Sequence, residues 1–561
     1  MDSKNVIAAI SLSAAVIILY GLFFAPEPQP INQALQEKNN IVENSEAPKL
    51  IDTKEINTIS RDEAINNSDR ISFENENIIG SISLSNGGAI DDFTFKNYNE
   101  KLNGKEKIIL LNPINVKDGY IFNTGWVSSD ENIDTPNLDT KWKISGNKKL
   151  SPNNPVSIFY ENDQGLRFER IISLDEKYLF KINQKIINKT DKKYKFYPYA
   201  YLHRNNIPED LTDFYILHEG FVTVSDEELK EIDYDDIDEK SYTKNSKKGF
   251  IAIGDKYWVT SIIPPQDRPF RMDIDYKNKY RASYIDSEGL LLESNSSIEN
   301  NVKSIMGAKT VRDIDGYAES ENIDKFDLVI NWGILYWLVK PMFFILEYFF
   351  IFSGNYGYAI ILLTILVRIV FFPLNQYAFK SMGKMKVLQP EMNRLKELHK
   401  NDKQELQKSL MKLYKSEGIN PASGCLPILI QIPIFFSLYK LLLLDISMRH
   451  APFIWIWEDL SAKDPVTIFN LFGLLPYNVP SFLEIGLLPL LMGITMFLQQ
   501  RLNPSPMTDP IQKKIFAFFP FFITIILAPF AAGLILYWTM TNILTIIQQW
   551  IILRKTTVKT K

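Results

Sequence analysis

One arginine lies inside an apolar run and is the residue best placed to do chemistry. Arg368 sits within Tyr356–Phe372, a stretch otherwise built of aliphatic, aromatic and small residues. A guanidinium at mid-bilayer costs ~2.5–3.5 kcal/mol on insertion scales, so it faces a cavity or a partner rather than lipid. The other expected spans of the C-terminal half contain no Asp or Glu to pair with it. The expected chemistry is electrostatic: a positive groove that attracts anionic groups, most strongly where the dielectric is low. Arg368 is also five residues before Pro373. Snorkelling to the membrane surface is therefore the competing outcome.

Polar residues at helical spacing support the groove. Thr364 precedes Arg368 by one turn, on the same face. Trp538, Thr541, Thr545 and Gln548 follow i, i+3, i+7, i+10 in the last apolar run, and Gln431 lies in an earlier one. Each of these also suits simple hydrogen bonding between helices. Nine of the thirteen methionines lie after residue 374. Flexible thioethers fit varied apolar partners, or ordinary packing.

The elements that position these residues follow from hydropathy and charge. The chain has 561 residues, a net charge of −4 and a mean hydropathy of −0.10. That average conceals a polar part, 26–325, and an apolar part, 326–553. Residues 374–425 carry ten Lys and Arg against five Asp and Glu, which puts this segment inside. Only one of the two preceding apolar runs then spans. The segment 326–355 is expected to hold an interfacial amphipathic helix, with Lys340 and Glu347 on one face, and 356–373 to be the span. Further spans are expected at 426–444, 485–499, 515–530 and 533–553. With an N-terminal anchor over 1–25 this makes six spans, a five-span core and both termini in the cytoplasm. The basic tail 554–561 agrees with that orientation. The polar domain is then periplasmic.

Within 374–425, Met385, Leu388, Met392, Leu395 and Leu398 recur at helical steps, as do Leu406, Leu410, Leu413 and Tyr414. Asp402 is expected to cap the second helix. The result is a helical hairpin with basic faces, whose contact residues are expected to be Met382, Lys384, Met385, Lys400 and Lys403.

The run Val6–Ala25 is long enough to span, and no small-x-small site follows it, so an uncleaved anchor is favoured over a signal peptide. Residues 26–70 read as a flexible linker. From 71 to 325, short alternating runs punctuated by Asn86-Gly87-Gly88, Asn103-Gly104 and Asp118-Gly119 predict a large β-sandwich. In Lys177–Lys189, Tyr178, Phe180, Ile182 and Ile186 fall on one face and Lys181, Asn183 and Lys185 on the other. Asp226–Glu239 has nine acidic residues in fourteen; a solvated loop is expected, with a cation site as the alternative. One cysteine, Cys425, precludes an intrachain disulfide, and four histidines make structural zinc unexpected. No phosphate-binding or dinucleotide motif appears, and no cofactor is expected. The bulk charge gives no sign of nucleic-acid sequence recognition.

Ordered motifs along nearly the whole chain resemble the YidC-type membrane protein insertases. They include Gly249-Phe250 with Asp255-Lys256-Tyr257-Trp258, Lys340-Pro341, Gly354-Asn355-Tyr356-Gly357 and Arg368 followed by Phe372-Pro373-Leu374. Asn420-Pro421 with Gly424-Cys425-Leu426-Pro427, Gln431-Ile432-Pro433, Asp464-Pro465 and Ile546-Ile547-Gln548-Gln549 continue the series. The resemblance implies a periplasmic β-supersandwich plus a polytopic helical domain in the bacterial inner membrane. It also implies insertion and folding of nascent membrane proteins, alone or with the Sec translocon, with transient ribosome contact. Arg368 aligns with the family's groove arginine. The resemblance departs at Trp538, where some relatives carry tyrosine, and in the short tail. Two other classes compete. A transporter would show inverted repeats and ionisable residues in several spans. A sugar-processing sandwich would need a carboxylate–histidine site, and only His203 and His218 lie in that domain.

Overall fold

The protein is described from a computed structural model that covers residues 58–209, 217–400, 402–419, 426–467, 484–502 and 510–558, with positions 211, 469, 471 and 475. The expected anchor, most of the linker, Cys425 and the last three residues of the tail lie outside the described residues.

Alternation of apolar and polar residues builds two sheets. The first has eleven strands and nine of them run in order through Tyr242–Ser246, Phe270–Tyr276, Tyr280–Asp286, Tyr194–Arg204, Tyr120–Ser128, Ile90–Asn99, Ile78–Ser83, Arg70–Glu74 and Lys149–Leu150. The second has nine: Glu228–Ile232, Gly220–Ser225, Gly249–Gly254, Trp258–Ile262, Ser297–Ala308, Leu179–Asn188, Leu166–Leu174, Val156–Glu161 and Lys143–Ser145. Pairing is antiparallel except between Arg70–Glu74 and Lys149–Leu150. The sheets stack on an aromatic core, where Phe73 of the first meets Phe180 of the second edge-on at 5.3 Å. Burial of such rings drives the stacking. In Leu179–Asn188 the alternation falls as expected, with Phe180, Ile182 and Ile186 buried and Lys181 exposed.

Two segments differ from expectation. Residues 61–66, read as linker, form helix α1 (Arg61–Asn66), whose Ser60 Oγ accepts from the Glu63 amide at 3.3 Å. Arg61 then reaches Asp92 on the first sheet, so a side-chain pair orders this stretch. The acidic segment is not a plain loop. It forms the edge strand Glu228–Ile232 and helix α2 (Tyr234–Glu239) because Ile232, Tyr234 and Ile237 are spaced to bury together. Its acids line the sheet edge, where charge discourages pairing with another chain. No group of His, Cys, Asp or Glu is arranged to hold a metal among the described residues.

Helix α3 (Val311–Ser320) closes the sandwich; Tyr317 Oη donates to Asp175 at 2.7 Å. Helix α4 (Tyr336–Ser353) follows and is long and apolar enough to cross a membrane. Lys340 and Glu347 do share a face. Lys340 pairs with Asp315 and Asp327, each at 3.0 Å, and Glu347 with Arg312 at 2.6 Å. Helix α5 (Tyr356–Val370) bends by 66° into α6 (Phe372–Val387). Then come α7 (Gln389–Leu398), α8 (Lys403–Ser416), α9 (Leu426–Leu444), α10 (Leu487–Leu502), α11 (Pro510–Leu527) and α12 (Ala532–Val558). Asn355 caps α5 and Asp402 caps α8, each side chain accepting two amide bonds. Helix α12 continues into the basic tail.

Candidate functional site

Apolar faces bring α5, α6, α9 and α12 together around Arg368. A narrow crevice there is lined by Val367, Arg368, Phe371, Asn375, Pro427, Ile430, Gln431 and Ile434. Arg368 is half-buried and donates from Nη2 to the Thr541 carbonyl at 3.3 Å. No carboxylate pairs with it among the described residues. A guanidinium has five N–H donors, so one long bond leaves most of its capacity and all of its charge unspent.

Helix α12 clasps the bend between α5 and α6. Thr541, Thr545 and Gln548 are buried on this helix. Gln548 Nε2 donates to the Phe372 carbonyl at 3.5 Å, at the bend itself. Thr545 Oγ1 donates to the Thr541 carbonyl at 2.7 Å, so that oxygen receives both the threonine and Arg368. Gln431 joins from α9: its Nε2 donates to Tyr537 Oη at 2.7 Å.

Two expected groove residues play other parts. The Thr364 hydroxyl donates back to the Ile360 carbonyl of its own helix at 2.7 Å and is buried. Trp538 packs edge-on against Phe435 at 4.7 Å, away from the polar stripe. One turn of α12 places Tyr537, not Trp538, beside Gln431. The hydroxyl that meets Gln431 thus comes from Tyr537, one position before Trp538. Its neighbour's prominence hid it, although a tyrosine inside an apolar run was signal enough, since its hydroxyl seeks a partner when buried. Asn375, also missed, lines the crevice and is buried.

The segment after the bend has its own small core of Met385, Met392, Tyr414 and Ile419. Tyr414 Oη approaches Met392 Sδ at 3.7 Å, joining the end of α8 to the start of α7. Met385, expected among the hairpin contact residues, is buried, because its helical face is the one α7 and α8 cover. Met382 is half-buried, and Lys384 and Lys400 are exposed. Lys403 begins α8. Val387, Leu398 and Met411 are among the exposed apolar groups here.

In the sandwich, His203 is buried, and its Nε2 has no hydrogen-bond partner. Burial, with Lys279 and Arg281 nearby, pushes its imidazole down to about 3. His218 is held between Asp233 and the Phe221 carbonyl, each at 2.9 Å.

A β-sandwich joined to apolar helices, with an arginine among them that has no carboxylate partner among the described residues, defines a membrane-associated protein. Two family models tile it: the YidC periplasmic domain matches residues 70–345, and the 60Kd inner membrane protein matches residues 347–560. The membrane protein insertase YidC of Pelagibacter ubique (strain HTCC1062) is 57% identical over 560 residues, covering 100% of both chains. That of Brucella suis biovar 1 (strain 1330) is 42% identical over 508 residues, covering 89% of this chain and 83% of the relative. A crystal structure of an active YidC insertase with its first transmembrane domain resolved has 16% identity and a TM-score of 0.36, covering 94% of this chain and 98% of that one. The chain belongs to the YidC family, a family of inner-membrane insertases rather than enzymes.

Proposed function

We propose that this protein inserts newly made proteins into the bacterial inner membrane and assists their folding, alone or beside the Sec translocon. The observation that carries the reading is Arg368: a cation in an apolar helix that donates to a backbone carbonyl, has no carboxylate partner among the described residues, and lies at a crevice shared with Asn375 and Gln431.

A hydrophobic segment leaving the ribosome must move its polar flank through hydrocarbon. The Arg368 charge attracts acidic groups in that flank, and the attraction grows as the dielectric falls. Gln431, Tyr537, Asn375 and Gln548 offer hydrogen-bonding partners along the same path. The apolar part of the client meanwhile slides from the exposed faces of the helices into lipid. No bond is made or broken in the client.

The orientation follows the charge bias. The segment of α7 and α8 lies in the cytoplasm as a hairpin, where Met382, Lys384, Lys400, Lys403 and Met411 meet ribosome or client. The sandwich lies in the periplasm, the core has five spans, and both termini are cytoplasmic. Helix α4 runs along the outer surface, with Trp337, Tyr348 and Phe352 exposed towards lipid.

The test is depletion of the native protein, complementation with Arg368→Ala, and protease mapping of newly made membrane proteins. Clients with acidic translocated segments should fail to insert. Unchanged insertion across the whole panel would refute the essential charge.

A further inference from the structure

One buried amide links the sandwich to the helical core. Asn331 stands between α3 and α4 and is only 8% exposed. Its Nδ2 donates to Glu231 on the edge strand of the second sheet. Its Oδ1 accepts from Lys440 Nζ on α9. The order is carboxylate, amide, ammonium, so each end of the amide meets its complement, and both bonds are charge-assisted.

The surrounding backbone is shaped for this contact. Gly333 has φ +66°, and a Cβ there would lie 2.5 Å from Lys440 Nζ. Glycine leaves the lysine its path and takes the left-handed conformation without strain. Trp332 is buried, and its Nε1 donates to the Asp327 carbonyl at 3.2 Å, which fixes the segment on its other side. A second tie lies further along the same interface. Arg449 donates from Nη1 to the Asn99 carbonyl at 2.6 Å and from Nη2 to the Glu100 carbonyl at 2.8 Å.

We propose that Asn331, with Glu231 and Lys440, is a latch that sets the orientation of the sandwich on the helical core. The latch grips α9, the helix that also carries Gln431 about 13 Å further along its axis. Orientation of the sandwich is thereby coupled to the crevice wall. The consequence for insertion rests on the insertase reading; the orientation itself does not. These three are positioning residues, remote from Arg368.

Charge reversal tests the latch because an amide can turn end for end. In Glu231→Lys or Lys440→Glu alone, Asn331 has two like partners and can satisfy one. In the double variant, a half-turn of the amide restores both bonds. The measurement uses the full chain in lipid nanodiscs with Cys425→Ser and Arg449→Ala, so that the latch holds without the second tie. Spin labels on Asp235→Cys in α2 and on Trp455→Cys, whose parent side chain is 84% exposed, report the distance between sandwich and core.

The parent should give one narrow distance distribution. Each single reversal, and Asn331→Ala, should lose it. The Glu231→Lys/Lys440→Glu double should regain it. Parental distributions in all three single variants, or a double as broad as the singles, would overturn the latch. Asn331→Ala adds no charge, so it keeps the test decisive if a reversal fails to fold. The distance needs no client protein, so failure here and failure of the insertase reading are told apart.

Discussion

The Arg368 guanidinium and the Thr541 carbonyl, 173 residues apart in sequence, meet at 3.3 Å. A backbone oxygen is a partial charge, and it is already shared with Thr545. It orients the guanidinium without neutralising it. That leaves a cation ready for an anionic guest.

Arg368→Ala should therefore cost more than Arg368→Lys. Losing a charge-assisted contact of about 1.5–3 kcal/mol predicts roughly a tenfold or greater fall in insertion of clients with acidic flanks. Lysine keeps the charge and loses only the fork geometry, so its fall should be smaller. Equal losses for both variants would show that shape, not charge, matters.

Tyr537→Phe should destabilise the helical core by about 1–2 kcal/mol, because the Gln431 amide loses its acceptor. Gln431→Leu should cost a similar amount. The pair share one bond, so the double variant should cost less than the sum of the two. Thermal melting of all four proteins in the same lipid measures this; strict additivity would mean the bond contributes nothing.

Met392→Ala should loosen the hairpin by about 1–3 kcal/mol, since it empties the small core that Tyr414 closes. Amide exchange across α7 and α8 should speed up. Met411→Ala, at a side chain 56% exposed, should leave exchange as it was and weaken client or ribosome contact instead. The reverse pattern would contradict both assignments.

His203 makes the sandwich sensitive to acid. Its imidazole stays neutral in the fold down to about 3, whereas an unfolded histidine gains a proton near its ordinary 6.5. Between those values the unfolded chain binds more protons, so stability falls as pH drops from 6.5 toward 3. His203→Gln should flatten that slope, an effect on the order of a few kcal/mol at most. Amide exchange in the strand Tyr194–Arg204 at pH 7 and pH 5 reads it. An unchanged difference between the two pH values would exclude His203 as the source.

Local periodicity was enough for much of this protein. The bounds of α9, the alternation in Leu179–Asn188, the Asp402 cap and the isolation of Arg368 are all readable from residues a few positions apart. Such patterns depend on helix and strand geometry alone. The acidic segment was harder, because Ile232, Tyr234 and Ile237 are sparse among nine acids and show as a buried set only once the sheet edge exists.

What only the tertiary structure decided is which side chains meet across long stretches of chain. Trp538 and Tyr537 differ by one position on α12, and the neighbouring α9 determines which of them reaches Gln431. Met385 lies on an apolar helical face, and the fold shows that α7 and α8 cover it. Asn331 has no local signature at all: its two partners lie 100 and 109 residues away. Sequence sets the periodicity of each element, but pairing between elements is fixed by how their surfaces pack, and that depends on the whole fold at once.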